Sequence, residues 1–223
     1  MVLFISLEGN IGSGKSTTLN QLTDFYHLIP EPVHLYNDYD DGKHKPLSLL
    51  YSAPESNAAL AQLHIQRCCS VWYETELKKS CSPIVVSERS LSASPKVFIQ
   101  CQQNVGIFSA FVADFLRQEN DDLISKHQSD SLPQYYIYLS CPPEVAYERV
   151  KQRERECESE ITLNYLTGLF KAHEKAFRGR EDTFVIDVDF QSSEEIITNQ
   201  VESIIVSLWK DYKTNHYEKM QLV

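Results

Sequence analysis

The segment Phe4-Ile5-Ser6-Leu7-Glu8-Gly9-Asn10-Ile11-Gly12-Ser13-Gly14-Lys15-Ser16-Thr17 runs from an apolar strand through a glycine-rich turn into a helix. That is the context a phosphate-binding loop requires. Glycines at 9, 12 and 14 let successive backbone amides turn inward around an anion with no Cβ in the way. The helix that follows adds its positive N-terminal end. Asn10, Ile11 and Ser13 complete the cradle, Lys15 can reach the β- and γ-phosphates, and the Ser16 hydroxyl, assisted by Thr17, can ligate magnesium. The alternative is a glycine turn that binds nothing, but strand, loop and helix stand in the order a nucleotide needs. The segment therefore predicts a nucleoside triphosphate as one ligand and says nothing of a second.

At 223 residues and 42% hydrophobic, the chain is long enough for one sizeable core and short for two, so a single α/β domain over 1–223 is expected. An excess of 31 acidic over 21 basic residues gives a net charge of -10. That charge repels nucleic acid phosphates and anionic membrane surfaces, so the expected ligand is small. Cysteines at 68, 69, 81, 101, 141 and 157 have no CxxC spacing, lie mostly in apolar periodic segments and read as reduced core thiols. No apolar run approaches the about 20 residues of a membrane span. The first strand starts at Val2, which leaves no length for a targeting peptide ahead of the fold, and the cytoplasm is the expected address.

Strand-like runs recur near 2–7, 83–87, 134–140 and 183–189, with helical patterns between them. The alternation argues for a buried parallel sheet with helices on both faces and ligands beyond the carboxyl ends of the strands. The stretch 56–79 lacks Pro and Gly and reads as one long helix; a second is expected over 105–118, then a polar connection from Arg117 to Pro133, and a last helix from about Ser193.

Two carboxylates fall where such a sheet would present them. The strand Ile84-Val85-Val86-Ser87 ends in Glu88-Arg89-Ser90, where an acidic residue beside a phosphate loop can hold magnesium and a cation can neutralise a transferring phosphoryl group. In Pro30-Glu31-Pro32-Val33 the flanking prolines fix the backbone around one carboxylate, which suits a general base and equally an ordinary turn. His34, His44, His64, His127 and His173 form no metal-like spacing and receive no role.

Taken together, the phosphate loop, Glu31-Pro32-Val33, Tyr51 with Pro54 and Gln62, Glu88-Arg89-Ser90, and Pro143-Glu144-Val145-Ala146-Tyr147-Glu148-Arg149 follow the order of the deoxyribonucleoside kinases, and the chain resembles that family from Phe4 to about Phe177. The resemblance implies a P-loop kinase fold with a parallel five-stranded sheet flanked by helices and an arginine-rich lid. It implies ATP-dependent phosphorylation of a deoxynucleoside 5′-hydroxyl, with Glu31 as general base, Glu88 working with magnesium and Arg89 stabilising the reacting centre. Tyr51 and Glu158 match the pair that holds the sugar 3′-hydroxyl, Phe98 the aromatic that stacks on the base, and Gln62 the amide that reads its edge. Tyr36 stands where relatives carry Trp, and Ser56-Asn57 where they carry Arg-Trp. Relatives are homodimers built on two long helices per subunit, which implies the same here through 56–79 and 105–118.

A primary amide at Gln62 can flip to pair with thymine or with cytosine. Gln62, Ile65, Gln66 and Cys69 share one helical face. Cys69 and Ser94 match positions where deoxycytidine kinase carries Arg and Asp; these smaller groups leave room for the thymine methyl, so thymidine and deoxycytidine are the expected acceptors. The lid is expected over 150–161, with Arg149, Arg153 and Arg155 around the triphosphate, unless these pair instead with Glu148, Glu154 and Glu156. Two rivals remain at this level: a thymidylate kinase, which acts on a monophosphate, and a nucleotide-dependent switch or scaffold. The switch would carry an Asn-Lys-x-Asp base reader, and the sequence has none.

Overall fold

A computed structural model of the chain describes residues 2–93, 95–127 and 132–221, with side chains described to 214. Its centre is a sheet of five parallel strands: β1 (Leu3–Gly9), β2 (His27–Ile29), β3 (Ile84–Glu88), β4 (Tyr135–Ser140) and β5 (Thr183–Asp187), in the order β2-β3-β1-β4-β5. All of β1 is buried, as an inner strand covered on both faces must be. Leu3, Ile5 and Leu7 pack with Leu19 and Leu22 and with Ile197, Val201 and Ile205. Phe4 joins Tyr73, Val85 and Leu91 in a separate cluster. The strands read at 2–7, 83–87, 134–140 and 183–189 are present within two residues at either end. Strand β2 escaped the sequence reading because its three residues carry no period to detect.

Helix α1 (Lys15–Gln21) starts from Gly14 at the end of the phosphate loop. Two short helices, α2 (Val33–Tyr36) and α3 (Pro46–Ser52), precede α4 (Pro54–Lys79). Pro54 sits in the first turn of α4, where a missing N–H costs nothing, and Lys78 and Lys79 face the negative end of its dipole. A single π-helical turn at Pro95–Ile99 runs into α5 (Gln100–Asn104). The helix read at 105–118 is displaced. Gly106 takes φ 80° and ends α5, Ser109 Oγ caps the amide of Val112, and α6 runs Ala110–Ser125. Much of the stretch read as a polar connection is thus helical.

Helix α7 (Pro143–Gln152) leads into the lid, a turn followed by one 3₁₀ turn at Glu156–Glu158. Helix α8 (Leu163–Phe177) starts from the cap Thr162, whose hydroxyl accepts from Tyr165 N, and α9 (Glu194–Gln221) closes the fold. No described helix is long and apolar enough to cross a membrane. The expectation of core cysteines holds only for Cys101 and Cys141; Cys68, Cys69 and Cys157 are half-buried and Cys81 is exposed. Cys68 and Cys69 lie on α4, Cys81 in the connection that follows it and Cys157 in the turn Glu156–Glu158. His173 is a core histidine, kept neutral by burial, with its ring stacked on Tyr138 and a 2.8 Å hydrogen bond to the Leu169 carbonyl.

Candidate active site

Three adjacent strand ends define the site. Strand β1 ends at Gly9, β2 ends two residues before Glu31, and β3 ends on Glu88. They open onto one cavity of about 520 Å³ whose walls include Lys15, Glu31, Glu88 and Arg89.

The phosphate loop is set tightly into the fold. Gly12 takes φ 79°, and a Cβ there would lie 2.4 Å from the carbonyl oxygen of Ala146. Lys15 is 4% exposed, with Nζ donating to the carbonyls of Gly9 at 3.1 Å and Asn10 at 2.8 Å. Burial, and then the Arg89 cation, bring its ammonium down to about 8. Ser16 Oγ donates to Glu88 Oε1 at 2.8 Å, so two hard oxygen donors sit side by side. No group of three or more His, Cys, Asp or Glu that could hold a metal occurs among the described residues. The Ser16 and Glu88 oxygens still fit magnesium, which keeps waters and phosphate oxygens as its remaining ligands.

Glu31 Oε2 accepts from Arg89 Nε at 2.9 Å, and Oε1 accepts from the Tyr36 hydroxyl at 3.2 Å. Burial works to raise the Glu31 carboxyl, but the Arg89 and Lys15 cations and these hydrogen bonds outweigh it and hold it below the usual range. An ionised, oriented carboxylate results. Arg89 also donates Nη1 to the Gly9 carbonyl at 3.2 Å, and its guanidinium carbon lies 4.9 Å from the Phe98 ring centre. Its backbone adopts φ 66°, a left-handed conformation uncommon away from glycine.

Tyr36, Tyr51, Gln62, Ile65, Cys69, Phe98 and Glu158 line the same cavity. Ser94 lies outside the described residues. Burial pushes the Cys69 thiol up to about 12, and it meets the Tyr36 hydroxyl at 3.0 Å. Tyr51 packs edge-on against Tyr165.

In the lid, Arg153 Nε and Nη2 grip Glu158 Oε2 and Oε1 at 2.7 and 2.6 Å, and Arg155 Nη1 approaches Oε1 at 3.5 Å. The anion beside Arg153 is therefore Glu158, not Glu148, Glu154 or Glu156. Arg149 reaches across to the carbonyls of Ser13 and Ser192, each at 3.5 Å.

Within the loop, Ile11, Gly12, Gly14, Lys15, Ser16 and Thr17 face the cavity, whereas Gly9, Asn10 and Ser13 stand behind it. Asn10 is a brace: Nδ2 donates to the Leu166 carbonyl at 2.9 Å, pinning the loop to α8. Asn120 was missed because its segment read as surface. It is buried, lines the cavity and donates Nδ2 to the Leu91 carbonyl at 2.9 Å. The spacing of Ala113, Leu116 and Asn120 was the available signal. Glu8, fully buried on β1, accepts from Ser6 Oγ at 2.8 Å while its Oε2 has no partner; burial pushes it upward.

Known proteins give this site a family. The chain is 28% identical over 212 residues to a putative kinase protein of Invertebrate iridescent virus 3, covering 93% of this chain and 98% of that one. A probable deoxycytidine kinase of Fowlpox virus is 27% identical, with 77% and 70% of the two chains covered. Human mitochondrial thymidine kinase 2 is 29% identical over 77% of this chain, which spans 63% of that protein's length. The profile described as deoxynucleoside kinase matches residues 5–212. With strand ends, loop and lid all inside that match, the chain belongs to the deoxynucleoside kinase family.

Proposed function

We propose that residues 1–223 form one kinase domain that transfers the γ-phosphoryl group of ATP to the 5′-hydroxyl of a pyrimidine deoxynucleoside, thymidine or deoxycytidine. The observation that carries this reading is the ionised Glu31, clamped by Arg89, in the cavity that also holds Lys15. In-line transfer needs a base at the attacking oxygen and cations at the phosphoryl group. Glu31 takes the proton of the 5′-hydroxyl. Lys15 and the inward amides of the loop hold the β- and γ-phosphates, Arg89 offsets charge gathering between the two substrates, and Arg149, Arg153 and Arg155 close from the lid. Ser16 and Glu88 would hold a magnesium ion, which supplies charge neutralisation on the phosphates when bound.

On the acceptor side, Tyr51 and Glu158 hold the 3′-hydroxyl, Phe98 stacks on the base, and Gln62 reads its edge beside Ile65, Cys69 and Tyr36. The neutral Cys69 thiol supports a pocket that tolerates a 5-methyl group. A homodimer through α4 and α6 is supported by Leu60, Val71, Phe111 and Phe115, large apolar side chains exposed on these two helices. The test is a panel of the four deoxynucleosides with ATP, followed by release of ADP. Turnover of a pyrimidine nucleoside by the native chain, lost in Glu31→Gln with ATP binding retained, supports the reading. A native chain inert toward all four overturns it.

A further inference from the structure

Arg89 sits in a backbone conformation that its own side chain disfavours. Its φ is 66°, and a left-handed turn sets the Cβ of any residue but glycine against the following carbonyl oxygen. Such a conformation persists only where the surroundings over-determine it. Here both sides of the residue are held. The Arg89 amide donates to the Leu7 carbonyl of β1 at 3.0 Å. The Arg89 carbonyl accepts from two side-chain hydroxyls, Ser87 Oγ at 2.8 Å and that of Tyr73. A carbonyl oxygen has two lone pairs, and both are taken.

Neither donor has a part in the chemistry proposed above. Ser87 is fully buried in β3, and Tyr73, on α4, is 3% exposed, with its ring 6.1 Å from that of Phe4 and one edge at the cavity wall. The side chain of Arg89 leaves in the other direction: Nε meets Glu31, Nη1 meets the Gly9 carbonyl, and the guanidinium lies beside the Phe98 ring. The main chain is thus pinned from behind while the guanidinium points into the cleft. Release of the carbonyl lets the backbone relax to negative φ, and that rotation turns Cβ and carries Nε away from Glu31.

Resting on the kinase reading above, we propose that Tyr73 and Ser87 are positioning residues whose hydroxyls clamp the Arg89 carbonyl, hold its left-handed turn and so keep the guanidinium on Glu31. Tyr73 stands one turn beyond Cys69 on α4, whereas Ser87 belongs to the sheet. The clamp therefore ties the helix that lines the acceptor pocket to the strand end that carries Arg89.

The experiment compares Tyr73→Phe, Ser87→Ala and the pair, each in the native chain and in Arg89→Met. It reads kcat on thymidine and deoxycytidine, ATP affinity by calorimetry, and exchange with water at the Arg89 Nε–H resonance, assigned by its loss in Arg89→Met. Removing both hydroxyls is expected to lower kcat roughly 10- to 100-fold, with ATP affinity within about twofold and Nε–H exchange faster by at least about tenfold. In Arg89→Met the same pair is expected to change kcat less than about twofold, because no guanidinium remains to be placed. An equal loss in both backgrounds overturns the proposal, since a packing role or a direct contact of Tyr73 with substrate would persist there. Unchanged Nε–H exchange in the pair also overturns it. Should the pair fail to fold, Tyr73→Phe, which keeps the ring, decides the matter on the same exchange. A native chain that turns over no nucleoside is instead the failure of the kinase reading, and the exchange measurement, which needs no turnover, still decides the clamp.

Discussion

Arg89 and Glu31, 58 residues apart in sequence, form a single hydrogen-bonded ion pair at 2.9 Å across the mouth of the phosphate loop. The pair keeps the carboxylate both charged and aimed. Glu31→Gln is expected to lower kcat by roughly 10²- to 10⁴-fold with little change in ATP affinity, read by steady-state kinetics and calorimetry. Because Arg89 and Lys15 hold the Glu31 proton off, the acid limb of kcat is expected below the ordinary carboxylate value of 4.5. Arg89→Met removes the nearer cation, so the residual activity should show that limb moved upward; an unmoved limb would mean that Glu31 is not the titrating group.

Lys15 should make nucleotide binding a proton-linked event. Its folded-state value of about 8 lies beneath the ordinary 10.5, and a triphosphate restores the charged form. ATP affinity is therefore expected to fall above pH 8 by up to roughly tenfold per unit, with proton uptake visible as a buffer-dependent binding enthalpy. The free protein shows the opposite face of the same linkage. Between about 8 and 10.5 the unfolded chain holds a proton that the folded chain has lost, so this group's contribution to stability grows with pH across that window. Lys15→Met should abolish both effects.

In the lid, one carboxylate occupies two cations. Glu158→Gln frees Arg153 and Arg155, so it should tighten ATP binding a few-fold while reducing nucleoside kcat/KM by roughly 10- to 100-fold, opposite signs measured on one variant. Changes of the same sign on both substrates would remove the proposed division of labour.

Gly12→Ala tests the seating of the loop. A left-handed backbone and a carbonyl 2.4 Å from the new methyl group should cost at least about 1–3 kcal/mol, seen as a lower urea midpoint together with weakened ATP binding.

The apolar side chains exposed on α4 and α6 bear on the proposed homodimer. Leu60→Glu combined with Phe111→Glu, at positions 72% and 79% exposed, should halve the mass in sedimentation equilibrium and leave the unfolding midpoint of the monomer nearly unchanged.

The parts of the fold legible in the sequence were those with a repeating signal. Long buried strands such as β1 and β4 announce themselves through apolar runs, and α4 through an uninterrupted helical stretch whose start, at Pro54, lies two residues ahead of the one read. Strand β2 is too short for that, and it takes part in the sheet because Ile29 is buried and its residues pair with Val85 to Ser87. The start of α6 was misread because Val105 and Ile107 extend an apolar pattern across a turn that Gly106 enforces. At the site, the candidate residues were read from the order of the motifs, and the fold brings Lys15, Glu31, Glu88 and Arg89 among them to one cavity. The hold of Tyr73 on Arg89, the bracing by Asn10 and the grip of Arg153 on Glu158 are contacts between distant segments, and no local pattern encodes them.

The backbone strain at Arg89 cannot be relieved without losing its side chain. Glycine at that position would relax the chain, yet it would strip the cleft of the buried guanidinium that keeps Glu31 ionised and leave a buried carboxylate unpaired. Thermal selection and catalytic selection therefore pull this one site in the same direction, and a library screened for heat resistance alone should keep arginine there.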